Sequence, residues 1–404
     1  MFLSVTLKRN PALVEAAVDL HRRGIIPPNT YVLDLDAIAY NARLLARAAD
    51  RAGIRLYMMT KQIGRNPEVA RLIAASGIPR AVAVDPWEAR LLGRSGIPLG
   101  NVGHLVQIPS GMIEEILSYR PEVVTVYSVE KAAQISRVAQ RMGRTQKLLL
   151  RVVGPEDVLY EGQQGGFRES GLIEAAREIL RLPGVRIAGV TGFPCLLYDP
   201  DRGDVQPLAN AHTVLRCAER LSEELGISLE QINMPSATCV STIPILKELG
   251  ATHGEPGHAL TGTTPLHQRG DQPELPAMVY VSEVSHLDGD RAYVYGGGFY
   301  RRSRAREAIV GKTFPGMMDR RVRVRETPPQ YIDYYGALDR TGHRIEVGDT
   351  AVFAFRTQIF VTRSQVALVE GIQRGRPSLK AIYDSLGKPL TEEAEKWADG
   401  ERSS

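Results

Sequence analysis

The chain has 404 residues, 43% of them hydrophobic, and a single core seldom outgrows about 250–300 residues, so two domains are expected. Lys and Arg total 50 against 46 Asp and Glu, a net charge of +4, which argues against a nucleic-acid partner; the basic run RRSRAR (301–306) reads as solvated surface or an anion site. Cys195, Cys217 and Cys239 stand far apart with no CxxC pair, so neither a disulfide framework nor a zinc site is signalled, and no run is long and apolar enough for a membrane span.

In chain order, residues 1–29 read as a helical lead-in. Its opening, MFLSVTLKRNPALVEAAVDLHRRG, turns amphipathic too early for a signal peptide, so a cytoplasmic location is expected. Short apolar runs then alternate with helical patterns. The extended candidates are 30–35, 55–60, 80–84, 103–108, 123–128, 147–153, 186–192, 231–235 and 251–254. Helix-like segments include 36–52, 65–76, 129–142, 206–225 and 240–249. Apolar strands separated by helices indicate a parallel sheet covered on both faces. The fold class expected is α/β, a (β/α)8 TIM barrel over 30–270. Nine candidates exceed eight by one, so the first can sit outside, leaving the run ending at Thr60 as barrel strand one. A doubly wound sheet is the rival, but no GxGxxG turn follows an early strand. From 271 to 390 alternating runs such as AMVYVSEVSHL and RAYVYGG read as a mainly antiparallel β domain. The segment 391–404 is a charged tail.

In a barrel the C-terminal strand ends converge on one mouth. Polar residues gather at those ends: Lys61, Asp85, Glu88, Gln107, Arg151, Cys195, Ser236 and Glu255. Lys61 follows the apolar run RLYMMT, where an ammonium must reach water, find a partner or do chemistry. Gln163 and Gln164 in EGQQGGF can line a pocket, or Gly165 and Gly166 can serve only to turn the chain.

Together these pieces resemble the fold-type III pyridoxal-phosphate enzymes, the alanine racemase and ornithine decarboxylase type, and above all their YhfX-like branch. The resemblance runs from about Thr30 to Gln373. MMTKQIGRNPEVARLI puts Lys61 at the position of the family's cofactor lysine, and VDPWEARLL matches the next strand end with Glu88. INMPSATCVST resembles the racemase segment whose serine meets the phosphate, here Ser236. HGEPGHALTG resembles the decarboxylase segment whose glutamate meets the pyridine nitrogen, here Glu255. The familiar racemases have an arginine there, so the chain departs from them at this point.

The resemblance implies pyridoxal 5'-phosphate as cofactor, with Lys61 as Schiff-base lysine and base. Ser236, Thr238, Gly257 and His258 are the expected phosphate contacts, although the decarboxylases carry an arginine where His258 stands. Arg151, ending an apolar strand, can meet the cofactor ring oxygen or a substrate carboxylate, or equally pair with a structural carboxylate. A carboxylate at the pyridine nitrogen favours a protonated ring. Racemisation also needs an acid–base group on the second face of the α-carbon. GDRAYVYGGGFYRR offers Tyr295, supplied by the partner subunit in the family; Tyr293, Tyr300, Tyr331, Tyr334 and Tyr335 are alternatives. No metal is expected.

The first expectation is thus an amino-acid racemase acting on a small-molecule amino acid, a homodimer with shared active sites. A decarboxylase is the alternative, favoured by Glu255 but lacking the cysteine and aspartate of that group. A D-threonine-aldolase-like lyase, whose late His/Cys metal pair is missing, and a cofactor-carrying protein stand behind it. Polar residues in FRTQIFVTRSQVALV (355–369) suit a substrate carboxylate or a subunit interface, with Arg363 equally able to form a surface ion pair.

Overall fold

The computed structural model describes residues 2–299, 305–326, 328 and 330–390. Tyr300 and Arg301–Arg304 of the basic run, and the tail from Thr391, lie outside the described residues. The chain forms two compact units, one of 42–60 and 70–259, the other of the segments up to 41, 61–69 and from 260 onward.

The first unit is a closed parallel barrel of eight strands. In order these are Arg55–Met59, Arg80–Ala83, Leu99–Val102, Val123–Val126, Gln146–Val153, Val185–Thr191, Gln231–Asn233 and His253–Gly254. Each pairs in parallel with the next, and the ring closes where His253 meets Arg55 and Gly254 meets Leu56. Strands such as VVTV are buried throughout, as expected when helices cover the outside and side chains fill the inside. Local signals set the helices. Asp85 accepts from the Glu88 N–H at 2.8 Å and Pro86 opens the helix Pro86–Arg94.

The third strand is a correction. It is Leu99–Val102, and the expected run 103–108 is loop. Gly103 adopts φ +85°, and a Cβ there would come within 2.8 Å of the Thr125 carbonyl oxygen. The strand therefore ends at Val102, despite the better-looking apolar residues that follow. The helix expected over 240–249 is likewise only Ile243–Glu248. The Thr242 hydroxyl accepts from the Cys239 N–H at 2.9 Å and donates to the Ala237 carbonyl at 2.7 Å, closing a turn ahead of it.

The second unit is built on a nine-stranded sheet. Met278–Asp288, Arg291–Tyr295, Tyr335–Asp339, Arg321–Arg325, Glu307–Gly311 and Thr350–Phe353 pair antiparallel in a ring. Thr30–Asp34 adds to Met278–Asp288 in antiparallel and to Gln365–Glu370 in parallel. That first strand therefore stands outside the barrel. Helices Phe2–Arg9 and Pro11–Arg22 bury Leu7, Val14, Ala17 and Val18 in one core with Val279, Val281 and Val352. Arg363 forms the ion pair anticipated for it, with Asp333 at 2.6 Å.

Candidate active site

Lys61 lies one residue beyond the first barrel strand and opens a short 3-10 turn, Lys61–Ile63. It is 9% exposed, a burial that lysines rarely accept unless paired. The turn leads into helix Pro67–Ala75, capped by Asn66, whose side-chain oxygen accepts from the Glu68 and Val69 N–H groups at 2.9 and 3.1 Å. Thr60, the residue before Lys61, donates its hydroxyl to Glu88 Oε1. Glu88 Oε2 accepts from the Val84 N–H at 2.8 Å. The glutamate noted at the second strand end thus ties that strand to the residue preceding the lysine.

Glu255 lies just beyond the last barrel strand and is 4% exposed. Its Oε1 accepts from Asn233 Nδ2 at 2.8 Å and from Asn101 Nδ2 at 3.3 Å. Its Oε2 lies 3.8 Å from His104 Nε2. Its backbone N–H donates to Thr238 Oγ1 at 3.1 Å. Asn101 in turn accepts from the Thr125 hydroxyl at 2.8 Å. N–H donors on a buried carboxylate favour its charged form, opposing burial.

Arg151, Thr191 and Asn233 stand in one row, Thr191 and Asn233 ending strands six and seven and Arg151 two residues before the end of strand five. Arg151 is wholly buried. It donates to the Tyr127 hydroxyl and to the Gln163 carbonyl, the latter at 2.8 Å, with its guanidinium 4.8 Å over the Tyr127 ring. Tyr127 donates to the His104 carbonyl at 2.7 Å, and burial raises its pKa. Gly166 is more than a turn residue. At φ +130°, a Cβ there would lie 2.6 Å from the Arg151 carbonyl oxygen and 3.2 Å from its Cγ. Gln163 lies half-buried beside Arg151, whereas Gln164 is exposed.

The loop carrying Ser236 has two successive left-handed residues, Ser236 at φ +95° and Ala237 at φ +48°. Successive N–H groups in such turns form anion-binding concavities. The Ser236 hydroxyl itself is engaged inside the protein. It accepts from the N–H groups of Cys195 and Leu196 at 3.0 Å each and donates to the Leu196 carbonyl at 2.9 Å. Cys195 is fully buried, and burial pushes its thiol pKa far up, the setting of a structural thiol. Gly257 is buried and His258 half-buried. Tyr295 lies in the other unit, at the end of Arg291–Tyr295, 39% exposed with its ring 6.0 Å from that of Tyr335.

Glu88, Arg151, Ser236, Thr238 and Glu255 thus belong to the barrel unit, Lys61 and Tyr295 to the other. Sequence reasoning missed Asn101, Asn233, Thr191, His104 and Tyr127. For Thr191 and Asn233 the available signal was a polar residue ending a strand; His104 and Tyr127 lie in loops, and Asn101 in a strand of weak local pattern.

A closed parallel barrel with these strand-end residues, followed by an antiparallel β domain, is the architecture of fold-type III pyridoxal-phosphate enzymes. Residues 33–265 match the family model for the alanine racemase N-terminal domain, and 279–379 that for the YhfX-like C-terminal domain. The chain is 45% identical over 390 residues to the uncharacterized protein YhfX of Escherichia coli K12, covering 96% of this chain and 100% of that one. Its fold is similar to a D-threonine aldolase from Filomicrobium marinum, with TM-score 0.66, 17% identity, and coverage of 90% and 96% of the two chains. It is also similar to the alanine racemase of Clostridium difficile 630, with TM-score 0.62, 16% identity, and coverage of 89% and 99%. The chain belongs to the fold-type III enzymes related to alanine racemase, in the YhfX-like branch, and its cofactor is pyridoxal 5'-phosphate. The residues suit that group. Among the described residues, Arg151 Nε, Thr191 Oγ1 and Asn233 Oδ1 are buried polar atoms with no protein partner, as expected where a polar ligand completes the bonding. No helix among the described residues is long and apolar enough to cross a membrane.

Proposed function

We propose that the chain is an amino-acid racemase of the cytoplasm, working as a homodimer. The observations that carry it are the barrel followed by its antiparallel β domain, with Lys61 just past the first barrel strand and an exposed Tyr295 in the β domain. The buried Glu255 carboxyl accepts from two amides on one oxygen, which favours its charged form. Pyridoxal phosphate, once bound, supplies the electron sink that makes an α-proton removable. In this reading Lys61 holds the cofactor's aldehyde carbon and moves the α-proton on one face. Glu255 holds a proton on the ring nitrogen. Arg151, gripped by Tyr127 and Gln163, presents its guanidinium to a ring oxygen or a substrate carboxylate. The N–H groups around Ser236 and Ala237, the Thr238 hydroxyl, Gly257 and His258 receive the phosphate. Tyr295 is the second acid–base group, and its exposure suits a residue offered to a second copy of the chain.

The alternative is a decarboxylase or a lyase of the aldolase or dehydratase kind, for which a carboxylate on the ring nitrogen is equally suited. Holoprotein incubated with single enantiomers of a set of amino acids, followed by chiral chromatography, separates them. Appearance of the opposite enantiomer, lost in Lys61→Ala, supports racemisation. An amine or an aldehyde as product rejects it. Tyr295→Phe should leave α-proton exchange from one enantiomer and block inversion.

A further inference from the structure

Glu255 has a supporting pair of its own. Asn101 and Asn233 come from the third and seventh strands and are both wholly buried. They reach the same oxygen, Oε1, at 3.3 and 2.8 Å. The amide orientations are dictated by their neighbours. The Thr125 hydroxyl donates to Asn101 Oδ1 at 2.8 Å, leaving Nδ2 for the carboxylate. For Asn233, a flip would set carbonyl oxygen against carboxylate oxygen at hydrogen-bond distance, which is repulsive. The backbone of Glu255 is held as well, through its N–H on Thr238 Oγ1.

A carboxylate in an apolar core gains a proton unless donors compensate the lost hydration. Two amides that donate only N–H compensate it without adding charge. Where a carboxylate shares one proton with a ring nitrogen, donors on the carboxylate favour the proton on the ring. Resting on the assignment of Glu255 to the ring nitrogen, we infer that Asn101 and Asn233 are positioning residues that decide where that proton resides. Thr125 acts through Asn101 by orienting its amide. The pair thereby sets how strong an electron sink the bound cofactor becomes.

The test is 15N NMR of the full chain loaded with ring-15N pyridoxal phosphate, in the wild type and in Asn101→Leu, Asn233→Leu, Thr125→Val and Glu255→Gln. The ring nitrogen shift separates pyridinium from pyridine whether or not a substrate is known. The wild type should give the pyridinium position and Glu255→Gln the pyridine position. Asn233→Leu should move most of the way, Asn101→Leu less, in keeping with its longer bond. Thr125→Val, which leaves both amides in place, should move slightly in the same direction and serves if the leucine variants do not fold. Exchange of the substrate α-proton should fall about tenfold in Asn233→Leu, the loss of one hydrogen bond to a charged group. A shift in Glu255→Gln with wild-type positions in the folded asparagine and threonine variants would overturn the inference and leave Glu255 in its role. A wild-type position in Glu255→Gln would overturn both.

Discussion

Thr60 and Glu88 lock the chain immediately ahead of Lys61: the Thr60 hydroxyl donates to one oxygen of the fully buried Glu88, whose other oxygen accepts the Val84 N–H at 2.8 Å. Glu88→Ala leaves two buried donors unpaired, at about 1–3 kcal/mol each. Glu88→Gln keeps an acceptor and should cost much less. Urea unfolding of both variants checks the order, and the alanine variant should also load cofactor more slowly. Equal stability of the two would remove Glu88 from this role.

Gly166 allows the loop after the fifth strand to close over Arg151. Gly166→Ala puts a Cβ 2.6 Å from the Arg151 carbonyl oxygen in a left-handed backbone. The strain should cost more than the roughly 1 kcal/mol of an ordinary glycine substitution. A lower urea midpoint is expected, together with weaker cofactor binding by fluorescence titration, because Arg151 must shift. Gly162→Ala, also left-handed but with open space around it, is the control and should spare binding.

Three buried histidines make stability depend on pH. Burial, the largest cause in each, lowers the pKa of His21, His253 and His267 to about 4. Such groups stay neutral in the folded protein but gain protons on unfolding once the pH drops below 6.5. Stability is therefore full above pH 6.5 and declines as the pH falls from there towards 4. Each group contributes up to about 3 kcal/mol by linkage. The melting temperature should hold between pH 7.5 and about 6.5 and then fall steadily to pH 4.5. His253→Phe, which keeps a ring beside Tyr57, should flatten the slope.

Most of the fold was legible because most of its strands are short apolar runs separated by amphipathic helical stretches. The exception is instructive. LGNV, the third strand, contains glycine and asparagine, poor strand formers, while HLVQI just after it has the stronger local pattern. Pairing with the neighbouring strands overrides that pattern, and the register brings Asn101 inside the barrel. The same misreading hid Asn101 from the candidate site. Asn233 lay within a correctly read strand, but nothing local says that a strand-end asparagine meets a carboxylate 22 residues on. Ser236 was found by its motif. The bonds that engage its hydroxyl come from Cys195 and Leu196, some 40 residues away, and are a product of the fold.

The most direct test of the account is where the cofactor attaches. Holoprotein reduced with borohydride, digested and analysed by mass spectrometry should carry the pyridoxyl phosphate mass on the peptide containing Lys61. Lys61→Ala should carry none and lose the visible absorbance band. Reduced cofactor on any other lysine, or a wild-type band in Lys61→Ala, would contradict the account.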